Sequence, residues 1–213
     1  MSISNYEELK TAVANWLHRS DLTARIPEFI QLGEGVLNRK LRTVDMETIA
    51  TATLPTDNRF IAMPTGFMEM MAVTNVTTQT EFVYIEPSLF RDYIVTGSGV
   101  PLHYTVQDQI ELDVIPSTAD TIESRYFKKY DIATDSTNWL LTNYPELYLH
   151  ASLSSAAFFV ENDTRLGTIK NLLSEGIMEL NDSESRRRGV HLAYARMDDG
   201  LTQRSRYNIN KGY

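Results

Sequence analysis

Four histidines, a small group of carboxylates and one run of arginines are the residues of this chain whose types invite chemistry. His18, His103, His150 and His191 are scattered, with no two at metal-ligand spacing, and read as surface or packing residues. Asp108, Glu111 and Asp113 together suggest a carboxylate cation site. Glu111 and Asp113, however, alternate with apolar residues in "QIELDV", which predicts that they lie on the solvated face of a strand. The tripeptide "GSG" at 97–99 precedes Val100 and Pro101 rather than a helix, so it reads as a turn and not as a phosphate loop. No GxSxG motif is present, and Asp131 and Asp135 flank a loop as turn residues rather than as an acid–base pair. The absence of cysteine excludes disulfides, thiolate zinc sites and a Cys nucleophile, and it fits a reducing compartment. The expectation is no enzyme, no cofactor and no metal.

The arginine run has a different character. Arg186, Arg187 and Arg188 could bind phosphates, pair with carboxylates at a protein interface, or simply solvate a helix end. They open a basic terminal region. Residues 185–213 hold 7 Lys+Arg and 2 Asp+Glu, a net +5, whereas residues 1–184 hold 13 and 26, a net −13. An acidic body argues against a grip on nucleic acid, which needs clustered Lys and Arg. A basic tail suits either nucleic acid or an acidic protein surface. Val190, Leu192, Tyr194, Met197, Tyr207 and Ile209 give that tail more apolar area than a purely solvating segment requires. Tyr194, Arg196, Arg204, Arg206 and Tyr207 therefore join the three arginines as candidate partner-binding residues.

The elements that must position these residues fall into helix, sheet and helix. Ser4 and Glu7 have capping-box spacing, and Tyr6, Leu9, Val13, Trp16 and Leu17 recur at helical intervals. A second helix is predicted over residues 24–41, with Pro27 in its first turn and Ile26, Phe29, Ile30, Val36, Leu37 and Leu41 as its apolar stripe. Gly33 and Gly35 cost helix propensity, which predicts close packing against the first helix. The resulting helical hairpin, residues 5–42, also admits a helix-turn-helix reading, opposed by the mixed run "ARIPEF" and the acidic surroundings.

From residue 47 the period changes to two. "TIATATLPTDNRFIAMP" predicts a hairpin turning at Pro55, Thr56, Asp57 and Asn58, followed by strands at "FMEMMAVTNV" and "EFVYIE" and a short helix at "PSLFRDYI". "GSGVPLHYTVQDQIELDVIP" predicts a second hairpin with Ile110, Leu112 and Val114 on one face, and "DTIESRYFKKYDI" a further strand. Helical periodicity then returns over 143–184, with Pro145 early in one helix, a break at Asn162 and Asp163, and a last helix carrying Leu166, Ile169, Leu172, Leu173, Ile177 and Leu180. Ala151, Ser152, Ser154, Ser155, Ala156 and Ala157 let another backbone come close, from the same chain or from a neighbouring subunit, while Trp139 and Tyr144 anchor the start of their helix. Beyond Ser185 three glycines and weak periodicity predict an extended tail.

The predicted fold class is α+β. A mainly α-helical bundle, with two N-terminal and two C-terminal helices, carries an inserted antiparallel β-sheet region (47–130) and ends in an extended C-terminal tail. The domain spans 1–184 and the tail 185–213. No stretch approaches the roughly 20 apolar residues that cross a bilayer, and "MSISNYEELK" has no basic or apolar leader pattern, so neither a membrane partner nor a signal peptide is expected.

This order of segments resembles the head-to-tail adaptor (connector) proteins of tailed bacteriophages, particularly those of podovirus-type virions. The resemblance is carried by "YEELKTAVANWLHRSDLTARIPEFIQLGEGVLNRKLR", "LPTDNRFIAMPTGFMEM", "GVPLHYTVQDQIELDVIPS", "SRYFKKYDI" and "NWLLTNYPELYLHASLSSAAFF", and runs from about residue 5 to residue 185. It implies a structural virion protein without a catalytic site, made in the host bacterial cytoplasm and placed at the head–tail interface. It further implies a dodecameric ring below the portal that extends the DNA channel and docks nozzle or tail-tube proteins. An acidic channel wall suits genome DNA that must slide past without sequence-specific binding. On this reading the basic tail meets the portal or a neighbouring subunit. The alternative, of another class, is a DNA-binding regulatory module using the N-terminal hairpin and the tail.

Overall fold

The computed structural model describes residues 3–160 and 165–202, and at 158 and 190–202 the backbone alone. In chain order the helices are α1 (Tyr6–Leu17), α2 (Ile26–Lys40), α3 (Pro87–Phe90), α4 (Ile132–Asp135), α5 (Trp139–Asn143), α6 (Pro145–Val160) and α7 (Leu166–Thr202). The strands are β1 (Glu47–Thr53), β2 (Phe60–Ile61), β3 (Phe67–Asn75), β4 (Thr80–Glu81), β5 (Val83–Tyr84), β6 (Ser98–Gly99), β7 (His103–Val106), β8 (Ile110–Leu112), β9 (Ile115–Pro116) and β10 (Thr121–Lys128). The fold is a mixed α+β one, in two compact units: a helical unit of the chain up to Thr43 and from Ile132 onward, and a β unit, Val44–Asp131.

In the helical unit, α1 is capped one residue later than the Ser4 and Glu7 spacing predicts. Asn5 is the N-cap and accepts from the Glu8 N–H at 3.0 Å, while the Ser4 N–H and hydroxyl donate to the Glu8 carboxylate at 2.7 and 2.8 Å. Those bonds hold the Glu8 carboxyl below its ordinary pKa. At the other end His18 takes a left-handed conformation, φ 52°, and its N–H reaches the Ala14 carbonyl at 3.2 Å. A 3-10 turn, Ser20–Arg25, then delays α2 to Ile26, with Pro27 in the first turn as expected.

α2 buries Ile26, Phe29, Ile30 and Leu37, with Leu41 just beyond its end. Its close partner is α6, not α1 as the glycines predict. A Cβ at Gly33 would stand 2.7 Å from both the Ala151 carbonyl carbon and the Ser152 nitrogen, so the two backbones touch. Gly35 meets only the Arg39 side chain, at 3.6 Å. Ala151, Ser152, Ala156 and Ala157 are fully buried, and α6 also packs on α1 and α7. The small residues of α6 thus serve close packing inside the chain. The Trp139 and Tyr144 rings meet at 5.5 Å just before α6 begins at Pro145.

α7 lays Ile169, Leu173, Ile177, Leu180 and Glu184 inward at intervals of three and four, and its Gly176 makes room for Leu147, whose Cδ2 would lie 2.7 Å from a Cβ there. The extended tail expected from residue 185 is replaced by helix through Thr202. Gly189 and Gly200 each cost about 1 kcal/mol in a helix, but extending an existing helix carries no nucleation cost, and Arg, Leu, Ala and Met are good helix formers. The break expected at Asn162 and Asp163 lies outside the described residues.

The β unit holds three sheets, ordered β1-β10-β3-β4, β2-β8-β7-β5 and β6-β9, with the β5–β7 and β6–β9 pairs parallel and the rest antiparallel. The hairpin predicted around Pro55 does not form. β1 pairs with β10 along its whole length, from Glu47 against Phe127 to Thr53 against Thr121, while β2 pairs with β8 in the second sheet. The turn therefore carries the chain between sheets, because β10 offers β1 a seven-residue partner and the two-residue β2 does not. The β7–β8 hairpin forms, and Ile110 and Leu112 point into a core shared with Leu54, Val73, Tyr104 and Ile122. Burial pushes the Tyr104 hydroxyl pKa up to about 12.

Candidate functional site

Among the residues with titratable chemistry, Asp113 departs most from its sequence reading. It is 5% exposed rather than solvated. Its Oδ1 accepts from the Leu102 N–H at 3.2 Å, and its Oδ2 accepts from the His103 N–H at 3.1 Å and lies 2.8 Å from the His103 Nδ1. Both oxygens are thus occupied in fastening the chain after β8 to the start of β7. That is a structural clasp, and Asp113 is not grouped with Asp108 and Glu111 in a set that could hold a metal ion. Glu111 instead faces Arg59, Oε1 to Nε at 2.9 Å. His150 is half-buried on α6, where burial lowers its imidazole pKa against an opposing pull from Glu146. Among the described residues no group of three or more His, Asp or Glu is placed to hold a metal ion.

The arginines lie on α7 rather than on an extended tail. The Arg186 Nε donates to the Asp182 carbonyl at 3.2 Å, Arg187 stands 3.6 Å from the buried Glu184 carboxylate, and Arg188 is half-buried. Successive helical residues turn by about 100°, so these three spread around the helix instead of forming one patch. Tyr194 and Arg196 fall on the same helix where the backbone alone is described, and Arg204, Arg206 and Tyr207 lie outside the described residues.

What surrounds α7 changes along its length. Its inward stripe ends at Glu184, and Ser185, Arg186, Arg187 and Gly189 are exposed. The helix is 37 residues long, about 55 Å, against 16 residues or about 24 Å for α6, on which it packs. Residues 185–202, the arm, continue the helix past Glu184, with Arg188 half-buried.

Elsewhere the surface carries large apolar side chains in the open. In the helical unit Leu32 and Met178 are more than 60% exposed, and in the β unit Ile49, Val83, Leu89, Val95, Val100 and Leu102 are each more than half exposed. Standing singly, such side chains are ordinary on a protein surface and do not by themselves mark a binding patch. No helix among the described residues is long and apolar enough to cross a membrane. Nothing in this arrangement favours a DNA-reading module: α2, the second helix of the hairpin, commits Ile26, Phe29, Ile30, Gly33 and Leu37 to burial within the helical unit.

No curated protein matches the chain. The family of SU10 adaptor proteins matches residues 4–197, which takes in the whole β unit, all seven helices up to the last turn of α7, and Arg186, Arg187, Arg188, Tyr194 and Arg196. Adaptors of this kind are structural proteins of the phage virion that associate with portal and tail components. With a match over nearly its whole length, the chain belongs to the SU10 adaptor protein family and is a bacteriophage adaptor protein.

Proposed function

We propose that this chain is the head-to-tail adaptor of a podovirus-type virion, assembled as a dodecameric ring below the portal, where it extends the DNA channel and docks nozzle or tail-tube proteins. The observation that carries this reading is α7, which continues as helix beyond Glu184, its last buried residue among those described, with Ser185, Arg186, Arg187 and Gly189 exposed. A helix without a packed face is marginally stable in water, so an arm of this kind gains its stability on a partner. Residues 1–184 then form the adaptor body, and residues 185–213 the arm.

The arm's +5 charge suits an acidic surface on the portal or on the −13 body of a neighbouring subunit. We assign that contact to Arg186, Arg187, Arg188, Tyr194, Arg196, Arg204, Arg206 and Tyr207, since arginine and tyrosine dominate the energetics of such interfaces. The acidic body suits a channel wall along which genome DNA slides without being held. The protein is made in the host cytoplasm and reaches the virion through the portal, with no reaction to catalyse and no cofactor to carry. Gradient co-sedimentation with its cognate portal tests the reading. Co-migration at a fixed stoichiometry supports it, and separate migration at every salt concentration contradicts it.

A further inference from the structure

The first sheet of the β unit ends in two open edges that complement each other. At one end, β1 pairs among the described residues with β10 alone. The Leu54 N–H donates to the Asp120 carbonyl in the same register, so the even-numbered residues of β1 turn their backbone groups toward β10. The N–H and C=O groups of Ile49, Thr51 and Thr53 therefore point outward. At the other end, β3 pairs with β4 only at Thr74 and Asn75, with one added bond from the Phe82 N–H to the Val73 carbonyl. Among the described residues no strand lies beside 67–72 on that side, where the register against β10 shifts at Met71 and Met68. An open cleft of about 440 Å³ runs there instead, walled by Phe67, Met68, Met70, Met71, Tyr84 and Tyr104.

Folded proteins protect a sheet edge with lysine, proline, a bulge or short length, because a bare edge recruits other strands. β1 has none of these. It is "ETIATAT", seven residues in unbroken register, with Ile49 51% exposed. Both β1 and β3 run antiparallel to β10, so they are parallel to each other. Two different edges on one sheet make a heterologous, head-to-tail joint, the kind that closes into a ring; a single self-pairing edge would stop at a dimer.

We infer that β1 of one subunit pairs in parallel with residues 67–72 of β3 in the next, so that the first sheets join around the ring. This rests on the ring proposed above. A twelvefold rotation of about 30° cannot reverse a strand, which is why the seam is parallel. A six-residue seam is about 20 Å long, and with a sheet about 10 Å thick it covers roughly 200 Å² per partner. Stable interfaces cover about 800 Å² per partner, so the seam alone does not hold two free subunits together. It closes when the portal gathers the subunits and each uses both edges at once.

The chain's lack of cysteine gives a clean background for the test. The full chain carrying Thr51→Cys and Met71→Cys, both exposed positions, is assembled on its portal and treated with a short bis-maleimide. The inference expects a ladder of cross-linked multimers, and expects each single-cysteine variant to remain monomeric. Dimers from Thr51→Cys alone would mean β1 against β1 and would overturn it. Thr51→Pro removes an outward N–H while sparing the bonds to β10, and Ile49→Lys adds an edge charge. Either variant, with an unchanged melting curve, should lose closed rings while keeping portal binding through the arm. Rings from both variants together with no ladder would refute the seam and leave the ring standing. Absence of rings from the unaltered chain would remove the ring and the seam with it.

Discussion

The Tyr148 hydroxyl donates a 2.8 Å hydrogen bond to the Glu34 carboxylate across 114 residues of sequence, in the buried interior of the helical unit. The same carboxylate oxygen accepts the Ile132 N–H at 2.8 Å, and the Asn138 side-chain amide donates to the Tyr148 hydroxyl at 2.6 Å. One buried acid thus ties α2 to α6 and to the point where the chain enters the helical unit for the second time. A buried carboxylate stripped of a donor retains its desolvation cost. Tyr148→Phe should therefore lower stability by about 1–3 kcal/mol, read as a reduced urea midpoint at unchanged m-value.

The two α2 glycines should respond in opposite directions. At Gly33 the obstacle is α6 backbone at 2.7 Å, which cannot step aside, so Gly33→Ala should cost about 1–3 kcal/mol. At Gly35 the nearest atom is a mobile arginine end at 3.6 Å, and Gly35→Ala should stabilise by about 0.5–1 kcal/mol through helix propensity. Thermal melts of the two variants decide it. Equal destabilisation by both would contradict the α2–α6 contact.

The same pair shows how far the sequence could be read. Gly33 and Gly35 signal a close approach, but nothing local says to which helix, since α2 and α6 lie more than a hundred residues apart. α1, α2 and the first half of α7 were legible because their burial repeats every three to four residues, whereas α6 is buried on nearly every side, from Leu147 to Leu149 and from Ala151 to Leu153. The partner of β1 was not, because alternation marks a strand without naming the strand beside it. Asp113 was misplaced for a related reason. Its alternating position implies a solvated face, while the N–H groups of Leu102 and His103 that bury it belong to another strand's approach. The arginine run announced charge, but not that a continuing helix spreads it around an axis.

Acid should weaken the helical unit through His150. Burial lowers its folded pKa, so below about 6.5 the unfolded chain binds a proton that the folded chain resists. Stability is then fully present above that pH and declines as pH falls. His150→Gln should flatten the slope of melting temperature between pH 7 and pH 5.5. A wild-type imidazole titrating at or above 6.5 by NMR would be inconsistent with this.

A chain ending at Glu184 keeps every residue of α7 that is buried among those described, so it should melt within about 0.5 kcal/mol of the full chain. Its affinity for the portal should fall at least tenfold, and the loss should shrink as salt screens the arm in the full-length protein. Undiminished portal binding would show that the arm takes no part in docking.

The central claim is that this chain builds a ring on a portal. Negative-stain imaging of the purified protein, alone and mixed with its cognate portal, tests that most directly. The account predicts monomers or small oligomers alone, and portal particles bearing an added coaxial ring in the mixture. Portal particles that remain bare at saturating adaptor would contradict it.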